Sequence, residues 1–121
     1  MDYLVDMQLA DSGRTRTSEE GIALIEQFIL PTLARCGTLA AEKRILAGGP
    51  VSGAIRLAFI VQAENAGALD ELVTGLPVWP RMVTTVTPLT TWSDRAQLLR
   101  PRLERLRAAV GSPAASEGGA R

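Results

Sequence analysis

The order of hydrophobic periodicities along the chain constrains the fold more than any other sequence feature. Residues 3–9 alternate between an apolar face, Tyr3, Val5, Met7 and Leu9, and a mixed face, as in a strand with one buried side. The same period of two returns over residues 54–63, and a run of β-branched residues follows over residues 82–89. Two segments with helical spacing, residues 18–35 and 66–75, separate these runs. The chain therefore mixes strands with amphipathic helices.

One further strand completes the pattern. Gly37 is a candidate helix stop, so residues 38–47 are interpreted as the second strand, ended by the turn Gly48-Gly49-Pro50. The element order is then strand, helix, strand, strand, helix, strand. This split βαβ order predicts a ferredoxin-like α+β fold, with an antiparallel sheet and both helices on one face.

The first helix carries the clearest local signals. Thr17 and Glu20 have the spacing of a capping box at its start. Pro31 is expected to kink the helix, because proline removes a backbone donor. The lone Cys36 is interpreted as a small buried residue, with a reactive thiol as the alternative. The stripe expected to face the sheet consists of Ile22, Ile25, Ile29 and Leu33.

The chain is organised as one domain followed by an appended segment. Residues 1–92 form the predicted ferredoxin-like domain, and residues 93–110 form a third amphipathic helix, capped by Ser93 or Asp94 and interrupted at Pro101. The arginines of that helix form either a solvated face or an oligomer arm. Residues 111–121 have the composition of a disordered tail.

The sheet face opposite the helices is predicted to carry a mixture of apolar and polar side chains. Such a surface is too apolar to be left facing water. A second copy of the chain is the simplest way to cover this face, and isologous two-fold pairing is the commonest oligomer symmetry. We therefore expect a homodimer or larger homo-oligomer whose inward polar residues line a pocket in each subunit. The residues assigned to this face are Leu4, Asp6, Gln8, Ala54, Arg56, Ala58, Ile60 and Val83.

Composition narrows the possible chemistry. The 121 residues include no histidine, so acid–base work falls to Asp, Glu, Tyr, Lys or Cys, and a metal site of the His-bearing zinc type is excluded. Thirteen basic and thirteen acidic residues give no net charge, which does not favour nucleic acid as a partner. No signal peptide is visible, and no apolar stretch approaches the ~20 residues of a membrane span. A cytoplasmic protein without a membrane partner is the default expectation.

A loop and two strands carry a family resemblance. Leu76-Pro77-Val78-Trp79-Pro80, continued by Arg81-Met82 and Val86-Thr87-Pro88-Leu89, resembles the muconolactone isomerase family, as do the opening Tyr3-Leu4-Val5-Asp6-Met7, Gly37-Thr38 and Arg44-Ile45. The resemblance covers residues 1–92 and is most specific at the Leu-Pro-x-x-Pro loop. It implies ferredoxin-like subunits in dimers and higher rings. It also implies a reaction without cofactor that shifts a ring double bond in a lactone of aromatic compound catabolism.

The sequence departs from the family pattern where a ligand would lie. Asp6 stands where a basic residue is usual, Thr87 replaces an acidic residue before Pro-Leu, and Leu39-Ala40-Ala41-Glu42-Lys43 replaces an aromatic, basic strand. A different substrate is therefore expected.

The candidate catalytic residues are Asp6, Arg56, Arg44 and Glu42. Asp6 is the leading proton-transfer group, because a partly apolar pocket raises a carboxyl pKa toward neutrality; the alternative is a salt bridge to Arg56 or Arg44. Arg56 could clamp a carboxylate or stabilise an enolate, or form a structural ion pair. Glu42 and Arg44 would share one face of the second strand and complete the cluster. The candidate substrate-binding residues are Gln8, Trp79, Leu4 and Ile60.

Three functions remain open from the sequence. The first is a cofactor-independent isomerase, an intramolecular oxidoreductase acting on a small unsaturated lactone or cyclic carbonyl compound. The second is a cofactor-free monooxygenase or cyclase, which requires a pocket lined by Trp or Tyr; Trp79 serves as such a wall or as a subunit anchor, whereas Tyr3 is interpreted as a core residue. The third is a non-catalytic module for small-ligand binding or assembly.

Overall fold

The computed structural model describes residues 1–111, in two units, Met1–Leu89 and a second that begins at Thr90. The predicted tail coincides with the described residues only at Gly111, the last helical residue, and otherwise lies outside them. The helices and strands are β1 (Asp2–Leu9), α1 (Ser18–Leu24), α2 (Leu30–Ala41), β2 (Ile45–Pro50), β3 (Arg56–Gln62), α3 (Ala66–Thr74), β4 (Met82–Leu89) and α4 (Trp92–Gly111). A single π-helical turn, Ile25–Ile29, joins α1 to α2 without a break, so that the three segments form one continuous helix.

The four strands of the first unit form one antiparallel sheet in the order β2-β3-β1-β4. In the centre, Val5 of β1 lies opposite Phe59 of β3 and Val86 of β4. This topology confirms the predicted ferredoxin-like α+β fold. β4 has the predicted bounds, whereas β3 starts at Arg56 because the preceding turn contains Gly53 at a φ of +77°.

The core lies on the face of the sheet that α2 and α3 cover. The alternating residues Val5 and Met7 of β1 and Val61 of β3 are fully buried. Tyr3 is 5% exposed, which confirms that it is a core tyrosine. The Leu-Pro-x-x-Pro loop inserts its own apolar residues, since Leu76 and Val78 are each 1% exposed.

The first helix begins as predicted, but its inward stripe differs. The Thr17 hydroxyl oxygen accepts the Glu20 N–H at 3.1 Å, while the Glu20 carboxylate accepts the Arg16 N–H. The π turn adds a residue to one turn immediately before Pro31, which has no N–H to donate, and the helix continues. The prediction that Ile22 and Ile25 face the sheet is wrong, because both are about half exposed. The inward positions are instead Leu24, Phe28, Thr32, Cys36 and Leu39, with Ile29 and Leu33 beside them.

The predicted second strand exists, but its bounds of residues 38–47 are wrong, because α2 runs through Gly37 to Ala41 and β2 begins at Ile45. The helix ends where Lys43 adopts a left-handed φ of 61°, with its N–H bonded to the Ala40 carbonyl. The Arg44 N–H bonds to the Leu39 carbonyl, which completes a Schellman motif. Gly48 and Gly49 lie inside β2, which ends at Pro50.

The continuous helix Ser18–Ala41 is long and apolar enough, with a mean hydropathy of 1.3, to cross a membrane by length and composition. The expectation that no stretch approached this length is therefore wrong. The property supports a span only weakly, because a core helix of a soluble protein or a signal sequence shares it. Within the single subunit 17% of its apolar window is buried, and the buried residues of the helix are Leu24, Thr32 and Leu39.

The second unit contains α4, in which Thr91 is the capping residue. Its hydroxyl oxygen accepts the Asp94 N–H at 3.0 Å, so the predicted caps Ser93 and Asp94 lie too late in the chain. The helix continues through Pro101, contrary to the predicted interruption, since a single proline removes only one of many backbone hydrogen bonds.

Candidate functional site

The side chains on the sheet face opposite the core form the candidate site. Alternation along β1 directs Leu4, Asp6 and Gln8 to this side, because Tyr3, Val5 and Met7 are in the core. Leu4 is 38% exposed, so the surface is accessible. Ala54 does not contribute as predicted, since it lies in the turn before β3. The strand register completes the face with Arg56, Ala58 and Ile60 of β3 and Val83, Thr85 and Thr87 of β4.

Asp6 and Arg56 form a bidentate ion pair on this face. Arg56 Nε donates to Asp6 Oδ1 at 2.9 Å, and Arg56 Nη2 donates to Asp6 Oδ2 at 2.6 Å. Gln8 is the direct cross-strand neighbour of Arg56, so the guanidinium reaches diagonally to Asp6. The side chains are 33% exposed for Asp6 and 41% exposed for Arg56. The geometry is that of a fork-to-fork contact, the strong form of this pair.

Electrostatics in the pair oppose the sequence prediction for Asp6. Hydrogen bonds from the Arg56 guanidinium lower the pKa of Asp6, although partial desolvation acts in the opposite direction. The same contact raises the pKa of Arg56. The prediction of a raised carboxyl pKa is therefore wrong for the isolated subunit, and the alternative salt bridge to Arg56 is the arrangement present. In this state Asp6 is a carboxylate that accepts protons weakly.

Glu42 and Arg44 do not share a strand face as predicted. Glu42 is the residue that caps the C-terminus of α2, and Arg44 is the last residue of the Schellman motif, immediately before β2. The Arg44 carbonyl accepts the Gln62 N–H at 2.8 Å, which fixes its backbone at the start of the β2–β3 pairing. Both residues are exposed, and the ion pair of Asp6 is with Arg56. Both residues differ from the prediction because α2 extends to Ala41 and occupies the segment that was predicted to be a strand.

The substrate-binding candidates divide between the two sides of the sheet. Leu4, Gln8 and Ile60 lie on the face of the ion pair. Trp79 belongs to a short 3₁₀ turn, Trp79–Arg81, and is 40% exposed. It lines a groove on the core side of the sheet, so the structure does not bring it to Asp6.

Two cavities flank the sheet on the helix side. The larger, about 380 Å³, runs between α3 and β4 and is lined by Tyr3, Val73, Trp79, Thr84 and Pro88 among others. The Thr84 hydroxyl oxygen in its wall is buried and has no hydrogen-bond partner within residues 1–111. Sequence reasoning did not select Thr84, and its place in a run of β-branched strand residues gives no signal for it.

The smaller cavity, about 130 Å³, lies at the hairpin end of the sheet and has apolar walls that include Leu33, Leu57 and Met82. Arg56 contributes to this lining as well as to the ion pair. It is thus the one predicted residue shared by the open face and this cavity. The described residues contain no group of three His, Cys, Asp or Glu side chains able to hold a metal ion.

Fold and site together define a class: a ferredoxin-like α+β protein with helices on one sheet face and an ion pair on the other. The family model described as muconolactone delta-isomerase matches residues 1–95, and the chain belongs to this family, as its resemblance predicted. A crystal structure of muconolactone isomerase is similar, with a TM-score of 0.61 and 15% sequence identity, over 75% of this chain and 90% of that chain. At this identity the likeness shows the fold alone. A search of curated proteins found no match.

Proposed function

We propose that the protein is a cofactor-independent isomerase that moves a proton and a double bond in a small unsaturated lactone or cyclic carbonyl compound. The bidentate Asp6–Arg56 pair on the open sheet face carries the proposal, because the reaction needs a group that takes and returns a proton beside a cation. Membership of the muconolactone delta-isomerase family supports the reaction type.

The proposed mechanism uses the two side chains in sequence. The Asp6 carboxylate accepts a proton from the carbon next to the substrate carbonyl, and the electron pair of that C–H bond forms an enolate. The Arg56 guanidinium donates hydrogen bonds to the enolate oxygen. The protonated Asp6 then returns the proton to the far carbon of the conjugated system, so that substrate and product are isomers. The negative oxygen attracts Arg56 away from Asp6, which removes the contact that lowers the carboxyl pKa.

A second copy is the proposed cover for the site. Leu4 and Ile60 supply an apolar floor around the ion pair, and Gln8 supplies a neutral donor and acceptor. A sheet packed on this face would exclude water and strengthen every electrostatic contact beneath it. The proposed active form is therefore a homo-oligomer that acts on a small-molecule substrate. The proposed location is the cytoplasm.

The groove behind the sheet favours a second candidate function. A cofactor-free monooxygenase or cyclase requires an aromatic-lined pocket, and Tyr3 and Trp79 line the 380 Å³ groove. In this alternative the reaction takes place between α3 and β4, away from Asp6. Replacement of Trp79 would then abolish turnover, while replacement of Asp6 would not.

The experiment incubates the protein with muconolactone and follows migration of the double bond by ultraviolet absorbance and by NMR in D₂O. Asp6→Asn and Arg56→Ala are each expected to lower turnover at least ~100-fold, the lower range for a positioned acid or base. Asp11→Asn and Arg14→Ala are the matched controls, because these residues form an exposed surface pair with a contact of 3.8 Å. Full turnover in Asp6→Asn would remove Asp6 as the base. Absence of turnover in the wild type would exclude this lactone as the substrate.

A further inference from the structure

α4 presents a continuous apolar stripe that lies mainly beyond the family match, which ends at residue 95. Its members recur at steps of three and four residues, the heptad spacing of a helix that packs along another helix. In this unit Leu99 is 44% exposed and Leu103 is 45% exposed, so the stripe has no cover. The stripe consists of Trp92, Ala96, Leu99, Leu103, Leu106 and Val110.

The charges beside the stripe argue against α4 pairing with another α4. Arg95, Arg100, Arg102 and Arg107 occupy the positions that flank a heptad seam. Two α4 helices side by side, in either orientation, would place arginine opposite arginine. Like charges at these positions oppose pairing, so the partner of α4 should carry carboxylates.

The outer face of the first helix has the complementary character. Ile22 is 56% exposed, Ile25 is 49% exposed and Leu30 is 54% exposed. Glu19 and Glu26 lie three and four residues from Ile22, so carboxylates and apolar side chains share this face. Net charge follows the same division: residues 1–89 carry ten acidic and seven basic side chains, whereas α4 carries five arginines and two carboxylates.

We propose that α4 of one subunit packs on the outer face of the first helix of a second copy of this chain. The leucines of α4 cover Ile22, Ile25 and Leu30, and its arginines lie against Glu19 and Glu26. The contact is separate from the sheet face that carries Asp6. It therefore links copies whether or not the chain is an isomerase.

The test reverses charge on each side in the full chain and measures mass by light scattering and dissociation by sedimentation. Glu19→Arg with Glu26→Arg, and Arg100→Glu with Arg107→Glu, should each weaken association at least tenfold. A mixture of the two variants should regain wild-type mass, because each then supplies the charge that the other requires. Glu64→Arg with Glu71→Arg is the matched control and should leave the mass unchanged; circular dichroism checks that every variant is folded.

Three results would overturn the proposal. One is a mass that none of the reversals changes. Another is a monomeric wild type in which each pair of reversals lowers stability and a single chain with all four reversals regains it. That result would show that α4 docks within its own chain. The third is binding to vesicles of anionic phospholipid that is lost with Arg100→Glu and Arg107→Glu while the mass stays constant, since α4 would then bind a lipid surface.

Discussion

The ion pair between Asp6 and Arg56 makes stability depend on pH in a defined direction. Because Arg56 lowers the folded-state pKa of Asp6 below its ordinary 3.8, the pair stabilises the fold above that value. The contribution is lost as the pH falls through the lower, folded-state pKa. We expect Asp6→Asn to be less stable than the wild type at pH 7, and the difference to shrink below about pH 4.

Urea denaturation at pH 7, 5 and 3 measures this difference, with Asp11→Asn as the control for loss of an exposed carboxylate. The effect should be modest because both members of the pair retain solvent contact. A difference between wild type and Asp6→Asn that stays constant from pH 7 to pH 3 would show that the ion pair does not stabilise the subunit.

Cys36 should be a slow nucleophile. Burial of this half-covered residue raises its thiol pKa, against a smaller opposing effect of the Arg35 charge. A raised pKa leaves less thiolate at neutral pH, and the thiolate is the reactive form. Labelling with a thiol reagent at pH 7.5 is expected to be at least several-fold slower in the native protein than in urea. Equal rates in both conditions would contradict the assignment.

The common face of Asp6, Gln8 and Arg56 could be predicted from the sequence, but the geometry of their contacts could not. Strict alternation along β1 and β3 is enough to place Asp6, Gln8 and Arg56 on one face of the sheet. Which oxygen meets which nitrogen depends on a diagonal contact across two strands. The sequence left two arrangements open for Asp6, a raised pKa in a partly apolar pocket and a salt bridge to Arg56 or Arg44. The diagonal contact selects the salt bridge to Arg56, which lowers the pKa of Asp6. The groove lined by Trp79 depends on how α3 lies over the sheet and leaves no periodic signal.

Among the elements, β2 contains the most demanding backbone position. Gly48 has a φ of +99°, and a Cβ built there would lie 2.2 Å from the Ala58 carbonyl oxygen of β3. Gly48→Ala must therefore break the β2–β3 pairing or fail to fold. Gly49→Ala, with no atom within 4 Å of the added carbon, is the control and should lose at most ~1 kcal/mol. Thermal unfolding of both variants measures the contrast; similar midpoints would contradict it.

Thr32 ties α2 to the Leu-Pro-x-x-Pro loop. Its hydroxyl donates to the Phe28 carbonyl at 2.7 Å and accepts the Val78 N–H at 3.0 Å, at 1% exposure. Thr32→Val removes the acceptor and leaves a buried N–H unpaired, which should cost about 1–3 kcal/mol of unfolding free energy. Thr38→Val, at an exposed hydroxyl bonded only within the helix, should cost less than ~0.5 kcal/mol. Urea denaturation compares the two, and equal losses would contradict the role of Thr32.

Local signals determine most element boundaries, and the largest error, at the end of α2, has one cause. β1, β4 and α3 follow from period-two patterns and from the Asn65 cap, all of which involve neighbouring residues. The end of α2 does not, because Lys43 adopts the left-handed conformation that glycine at position 37 would adopt more readily, six residues earlier. Left-handed lysine is uncommon, so the sequence favoured the wrong stop. That single displacement moved β2 and removed Glu42 from the site.

At the scale of the whole molecule, the proposed pairing of sheet faces can be tested by adding a charged side chain to one side or the other of β4. Val83 is 60% exposed and pairs with Gln8 on the open face, whereas Val86 is 41% exposed and pairs with Val5, a core residue, so the two valines lie on opposite sides of β4. A lysine at position 83 would be desolvated between two sheets, at a cost that dissociates them. Val83→Lys should lower the mass measured by light scattering and reduce turnover with it. Val86→Lys should leave the mass unchanged. An unaltered mass for Val83→Lys would place the subunit contact elsewhere and leave the ion pair open to water in the assembled protein.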